Sequence, residues 1–203
     1  MNLRSVGLRR RTLTLAVAIL LTLAAIRALS DDPEIALVIG EPYEAMRQRS
    51  TASIAPTIAG EVSFNIPTSD ARLRFVDPQY GFVTPLARFF AVIYRNEHIN
   101  SVRMSPQTEP LLLDDTLKIV LDLQEQWRKG GWTPNRVKDF PSFADSPEWR
   151  DRLKDVNRGG TAYWLAGEKY QTMLVVSRFR DEKRPTEERY LITLGISKSR
   201  GPR

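Results

Sequence analysis

The longest amphipathic pattern in the chain runs from Glu109 to Trp132. At about 100° per residue, its apolar side chains fall on one broad arc of a helix and its charged side chains on the opposite arc. The apolar arc, in which Gln124 and Arg128 are the polar exceptions, consists of Leu112, Leu113, Leu117, Ile119, Val120, Leu121, Leu123 and Trp127. We expect Thr108 or Asp114 to cap this helix and Gly130 to end it in the left-handed conformation. An arc of this width is typical of a helix that lies on a sheet.

Two-residue alternation of apolar and polar side chains predicts strands before this helix. Segments 61–66 and 71–76 alternate as half-buried strands do. The apolar positions that we expect to be buried there are Val62, Phe64, Ile66, Leu73 and Phe75. Segments 87–95 and 98–104 flank Asn96-Glu97, which has the length and composition of a hairpin turn.

After the long helix, Ser146-Pro147 predicts the start of a short helix, with a capping residue followed by a first-turn proline. Strands are expected at 161–165, 169–180 and 189–197. Met173–Val176 is apolar on both faces, as in a central strand. The last strand has one apolar face, made of Tyr190, Ile192, Leu194 and Ile196.

Strands joined by tight turns predict an antiparallel sheet, and the long helix has one face of that sheet to cover. The expected fold class is therefore α+β: a two-layer, mainly antiparallel sheet covered by one long amphipathic helix, with an N-terminal transmembrane or signal helix. The expected division is a signal-anchor or signal peptide at 1–30, a short helix and tether at 31–60, an α+β domain at 61–197, and a basic tail at 198–203.

The N-terminal segment has the pattern of a secretory signal or membrane anchor. Arginines occupy positions 4, 9, 10 and 11, and the uncharged apolar run LTLAVAILLTLAAI follows at 13–26. Small residues at Ala28 and Ser30 fit cleavage before Asp31, whereas a run from 13 to 29 is just long enough for an uncleaved single-pass anchor. In both interpretations the basic start stays in the cytoplasm and residues 31–203 lie outside it, which in a bacterium is the periplasm.

Charge and composition argue against nucleic-acid partners and exclude cysteine-dependent chemistry. The net charge is +6, but five of the arginines lie in residues 1–30, which hold no acidic residue, so residues 31–203 keep only +1. Nucleic-acid binding is not expected, because phosphate contacts need a clustered basic surface on the folded part. The chain has no cysteine, which excludes disulfides, a thiolate nucleophile and cysteine-ligated metals.

Few residues carry a pattern typical of catalysis. His98 is the only histidine, and we expect it to be exposed or on an edge strand rather than a general base. The carboxylate clusters are Asp114-Asp115, Asp151 with Asp155, and Glu187-Glu188. We expect these acidic residues to lie on solvated helix faces or at helix starts and not to form an active site. The expectation is therefore no catalytic residue, no cofactor and no metal.

Aromatic residues outside the periodic segments are the candidate contact residues for a protein partner. Tyr, Trp, Phe and Arg dominate the energetics of protein interfaces. The candidates are Tyr80, Phe82, Trp132, Phe140 and Phe143, and the alternative role for each is packing over the edge of the core. Trp127 and Trp149 are expected in the core itself.

The arginine-rich anchor, the LLLDDTLKIVLDLQEQWRKGGW helix and the AYWLAGEKYQTMLVVSRF segment together resemble membrane-anchored periplasmic immunity proteins of proteobacteria. That resemblance implies a non-catalytic periplasmic binding module, tethered to the inner membrane, that neutralises a secreted antibacterial effector by occluding its active site. It supplies no functional residues. Two alternatives remain open at this stage: a structural or assembly factor of a cell-envelope complex, and a carboxylate-dependent hydrolase of envelope material.

Overall fold

The computed structural model describes residues 32–180 and 186–199, which contain ten strands and three helices. The strands are β1 (Glu34–Leu37), β2 (Val62–Asn65), β3 (Arg72–Phe75), β4 (Phe82–Val83), β5 (Phe90–Arg95), β6 (His98–Met104), β7 (Thr133–Asn135), β8 (Gly160–Ala166), β9 (Tyr170–Phe179) and β10 (Arg189–Lys198). The helices are α1 (Tyr43–Arg49), α2 (Leu113–Lys129) and α3 (Pro147–Lys154). The expected α+β class with mainly antiparallel strands is confirmed.

The N-terminal transmembrane or signal helix, its cleavage site before Asp31 and most of the basic tail lie outside the described residues. Within the part of the chain that the structure describes, no helix is both long enough and apolar enough to cross a bilayer.

Seven strands form one antiparallel sheet in the order β2-β5-β6-β10-β9-β8-β7, which we call the large sheet. The hairpin expected between β5 and β6 is present. Its two turn residues, Asn96 and Glu97, have φ angles of 49° and 62°, as a type I′ turn requires. The pairing of these strands shifts between Ile93 and Tyr94, which leaves Asn100 as the extra residue of a bulge.

A smaller sheet consists of β1, β3 and β4, with β1 parallel to β3 and β4 antiparallel to it. Residues 31–60, expected to hold a short helix and a tether, also hold a strand, β1, which precedes the helix. Ile35 and Leu37 of β1 are fully buried, and the carboxylate of Glu34 accepts hydrogen bonds from Arg72 and Arg74. A strand buried on both faces has no two-residue alternation, so the pattern that predicts half-buried strands misses it.

Helix α2 matches the predicted amphipathic segment, but its ends differ from the expectation. Its N-cap residue is Leu112, which has no capping side chain, so neither Thr108 nor Asp114 caps it. Gly130 has a φ of −76°, and Gly131 is the residue with the positive φ, 80°. The chain therefore leaves the helical conformation one residue later than predicted.

Helix α2 and the small sheet share one core with one face of the large sheet. Trp127 joins these parts, as expected of a core residue, and it is fully buried. Its ring lies 5.7 Å from that of Phe82 in β4 and 5.7 Å from that of Trp164 in β8. Trp149 in α3 is also buried, against Phe143, with ring centroids 4.7 Å apart.

Three glutamine side chains pair with backbone groups as a neighbouring strand would. Gln124 of α2 accepts from the Phe143 N–H and donates to its carbonyl, both at 2.9 Å. Gln126 makes the same pair of bonds to Val83 at 2.9 and 3.0 Å. Gln107 lies just beyond the end of β6 and continues the pairing with β10. Its side chain donates to the Tyr190 carbonyl and accepts from the Ile192 N–H. Buried backbone groups need such partners, and Gln124 and Gln107 supply them, whereas the bonds of Gln126 are exposed.

The short helix α3 begins as predicted, since the Ser146 side chain accepts a hydrogen bond from the Trp149 N–H. The helix ends before Val156, which is exposed. The segment between α2 and α3 contributes the three-residue strand β7 at one edge of the large sheet.

Candidate functional site

The two faces of the large sheet differ in what covers them. On one face, alternate residues such as Tyr190, Ile192 and Leu194 are fully buried in the shared core. The residues between them, such as Leu191 and Thr193, lie on the opposite face and are only half-buried. We call this second face the open face. Strand alternation on a sheet that is covered on one side accounts for both patterns.

A shallow groove of about 540 Å³ runs across the middle of the open face. The register places five of the residues of this region directly opposite one another in successive strands, in the order Ala91, Arg103, Gly195, Met173 and Tyr163. The next row contributes Ile93, Ser101, Ser197 and Gln171. Side chains from five strands therefore meet at one depression.

The depression exists because Gly195, in the central strand β10, has no side chain. A Cβ atom built at Gly195 would lie no closer than 3.8 Å to any neighbouring atom, the nearest being Cε of Met173. This glycine is therefore not required by close packing. Its effect is to leave the floor of the groove open between Arg103 and Met173.

Charge on the open face has one sign. At its paired strand positions, within the described residues, the charged side chains are Arg95, Arg103 and Arg189, and none is acidic. Arg189 is neutralised by an ion pair with Glu187. Arg103 is exposed, and its neighbours across both strand pairs, Ala91 and Gly195, are small. The guanidinium group of Arg103 is therefore accessible at the rim of the groove.

The edge of the open face is apolar, which reverses an expectation. Val62 and Phe64 of β2, predicted to be buried, are 63% and 66% exposed, and Ile66 just beyond is also exposed. Phe64 lies directly opposite Ile93, so it belongs to the open face. The reason is position: β2 is an edge strand of the large sheet, and its apolar side chains point away from the side that α2 covers.

Four of the five aromatic residues considered as partner contacts are core residues, which is the alternative that the sequence left open. Tyr80, Phe82, Trp132 and Phe143 are at most 9% exposed, and Trp132 donates its indole N–H to the Tyr80 carbonyl. Buried side chains of this kind do not present a contact surface.

Phe140, the fifth, is half-buried and lies near the groove. Its ring meets that of Tyr163 edge-to-face at 5.0 Å, and the Arg136 guanidinium stacks on it at 4.5 Å. The sequence reasoning did not place Phe64, Arg103 or Gly195 on a contact surface, although β10 carried a readable signal for Gly195. Opposite the buried face of β10, positions 191, 193, 195 and 197 are Leu, Thr, Gly and Ser, with no charged residue, as is unusual for a fully solvated face.

The residues considered for catalysis are placed apart from the groove. His98 is exposed at the β5–β6 turn, with Nδ1 2.7 Å from the Asn96 carbonyl. Asp114 pairs with Arg150 at 2.7 Å, and Asp151 is exposed on α3. Among the described residues no group of three or more acidic or histidine side chains is arranged to hold a metal ion.

One buried carboxylate, Asp77, organises the turn that leads into β4. Its Oδ1 accepts the N–H groups of Gln79 and Tyr80, and its Oδ2 accepts the Tyr170 hydroxyl at 3.1 Å and lies 3.8 Å from Nζ of Lys169. Burial alone would raise the pKa of Asp77, but these donors outweigh it and hold that pKa below its ordinary value. Burial and the nearby carboxylate raise the pKa of Tyr170 to about 12, so its hydroxyl stays a donor.

Asp77 is therefore expected to make the fold sensitive to acid. A carboxyl group whose pKa is lower in the folded state stabilises the fold above the unfolded pKa of about 3.9, and this contribution is lost as the pH falls through the folded pKa. Asp77→Asn should lower the free energy of unfolding by about 1–2 kcal/mol at pH 7. The difference from wild type should shrink below about pH 4.

Urea unfolding at pH 7 and pH 3 measures this effect. The control is Asp151→Asn, which changes an exposed carboxylate and should leave the unfolding midpoint unchanged at both values. A constant difference between Asp77→Asn and wild type across the pH range would show that the Asp77 charge does not contribute.

Comparison with known proteins gives no relative for this arrangement: no family model matches the chain, and no curated protein and no solved structure matches it significantly.

Proposed function

We propose that this protein is a non-catalytic binding module that uses its open face to bind a protein partner. The observation that carries the proposal is the combination on one surface of exposed apolar side chains, an accessible arginine and a groove. Apolar side chains that are clustered on a surface mark interaction sites more often than scattered ones do. Phe and Arg beside a pocket are also the kind of residues that carry most of the energy in protein interfaces.

We place this module on the periplasmic side of a bacterial inner membrane, held there by residues 13–29. The arginine-rich start and the apolar run support that location. The proposed action is neutralisation: the open face covers the active site of a secreted antibacterial effector. Tethering would concentrate the module where such an effector arrives.

The test starts from full-length tagged protein, purified from solubilised membranes of its native host, with Phe64→Ser as the key variant. Because Phe64 is exposed, this substitution should change stability by no more than about 0.5 kcal/mol. We expect wild type to retain one secreted enzyme in roughly equal amount and to inhibit it, and Phe64→Ser to lose at least tenfold in affinity.

Val156→Ser is the matched control, since Val156 is 64% exposed and lies outside the large sheet. It should bind and inhibit like wild type. Equal binding by Phe64→Ser and wild type would remove the open face from the interaction. Recovery of a set of envelope subunits, without inhibition of any enzyme, would replace neutralisation by assembly of an envelope complex.

A further inference from the structure

Several arginines of this fold pair with carboxylates, and Arg103 differs from them. Arg72 and Arg74 share the Glu34 carboxylate, and Arg150 contacts Asp145 and Asp114. The side chain of Arg103 makes no ion pair and no hydrogen bond within residues 32–180 and 186–199. An exposed guanidinium without a carboxylate partner remains free to use its planar set of donors on a ligand.

Further hydrogen-bond donors line the groove beside Arg103. Ser101 and Ser197 lie directly opposite each other in adjacent strands. The Ser197 hydroxyl accepts from the Gln171 amide at 3.1 Å and donates to the Lys198 carbonyl at 3.2 Å. The donors left for a ligand are therefore the Ser101 hydroxyl and the second amide hydrogen of Gln171, and both residues line the groove. Guanidinium and hydroxyl groups together are suited to a carboxylate, because charge-assisted hydrogen bonds from arginine are stronger than neutral ones.

The remaining walls of the groove are apolar. Met173 and Tyr163 lie on the far side of Gly195 from Arg103, and Ile93 lies on the side of the exposed Phe64. A bare anion would leave these surfaces uncovered. A protein segment would cover them, because it carries its carboxylate next to aliphatic or aromatic side chains.

We propose that the groove at Gly195 receives an aspartate or glutamate side chain of the protein partner, with its carboxylate on Arg103 and with apolar side chains of the same segment on either side of it, one against Met173 and one against Ile93. This inference rests on the proposed binding function and names the chemistry of the partner. At its paired positions among the described residues, the open face presents arginines and no carboxylate. A partner surface of complementary charge is negative. The partner surface is therefore acidic where it meets the groove.

Two substitutions test this assignment without depending on the identity of the natural partner. Arg103→Gln removes the charge from an exposed side chain. Gly195→Leu fills the floor of the groove, where an added Cβ has ordinary contact distances. Thermal unfolding of both variants should match wild type. Arg88→Gln, at an exposed arginine outside the groove, is the control.

The probe is a random peptide library displayed on phage and selected on immobilised full-length protein in detergent micelles. We expect enrichment of peptides with Asp or Glu beside an aromatic or aliphatic residue. The most enriched peptide is then synthesised with the acid and with its amide counterpart. Wild type and Arg88→Gln should bind the acidic form at least tenfold more tightly, and 0.5 M salt should reduce that ratio because exposed charges are screened.

Arg103→Gln should bring the ratio close to one, and Gly195→Leu should abolish binding of both forms. Selection of neutral or basic peptides, or of none, would overturn the assignment, as would an acidic preference that survives both substitutions. Equal competition by a single-stranded oligonucleotide would replace the protein carboxylate by a phosphate.

If peptide selection fails while Phe64-dependent capture of a partner persists, the binding module stands and only the carboxylate assignment falls. If acidic peptides bind but no partner is captured, the neutralisation proposal falls instead.

Discussion

Trp127→Ala is expected to lower the free energy of unfolding by about 3–5 kcal/mol, as removal of a buried tryptophan typically does. Trp127 is fully buried between α2, β4 of the small sheet and β8 of the large sheet. Alanine leaves a cavity at the point where these three parts meet. Since domains of this size are stable by about 5–15 kcal/mol, such a loss brings the fold close to its limit.

Urea unfolding of the full-length chain, followed by far-ultraviolet circular dichroism, measures this loss. Leu112→Ala, at the N-cap of the same helix, is the control, because Leu112 is 50% exposed. It should change stability by no more than about 0.5 kcal/mol. Equal midpoints for Trp127→Ala and wild type would contradict the placement of α2 against both sheets.

Gln124→Leu is expected to destabilise the fold by about 2–4 kcal/mol, although leucine has a similar size and is more apolar. The Gln124 amide satisfies both the N–H and the carbonyl of Phe143 in a buried environment. Leucine leaves these two backbone groups without a partner. The cost of two unsatisfied buried groups exceeds the gain from a more apolar side chain.

Gln126→Leu provides a matched comparison on the same helix. Gln126 makes the same pair of bonds to Val83, but in an exposed setting where water can replace them. Its substitution should cost less than about 1 kcal/mol. Similar losses for the two variants, measured by urea unfolding, would show that burial of the bonded backbone groups is not what makes Gln124 important.

Elements with a strong local signal were predicted well. Helix α2 has an apolar arc that is visible at a helical period, and the Asn96-Glu97 hairpin and the Ser146-Pro147 helix start follow from the conformational preferences of a few adjacent residues. The ends of α2 were predicted less well. Gly130 and Gly131 are equally able to adopt a positive φ, and the adjacent sequence does not distinguish between them.

Segments whose role depends on distant residues were missed. Strand β1 is buried on both faces by the rest of the core, and its parallel partner β3 lies far along the chain. Of the three glutamines, Gln124 was noted as a polar exception on an apolar arc, and Gln107 and Gln126 were not singled out. Their value comes from backbone groups of Phe143, Val83 and Tyr190, whose proximity no local pattern contains.

The candidate surface illustrates the same division. Residue types and alternation predicted that 61–66 is a strand with one apolar face, and that holds locally, because side chains of a strand alternate whatever their surroundings. Which side of that strand is covered is a property of the assembled sheet. Since β2 is at the edge and α2 lies on the other face, Phe64 is exposed rather than buried.

The amino-acid sequence is sufficient to establish the α+β class, the long helix and the hairpins, since each follows from local periodicity or turn chemistry. The groove depends on the pairing register, which brings Arg103, Gly195 and Met173 from three separate strands into one row. The core role of Tyr80, Phe82, Trp132 and Phe143 likewise depends on how the loops fold back over the sheets. Long-range packing decides which face of each strand is covered, a choice that the local sequence leaves open, and the exposure of the candidate surface is decided in this way.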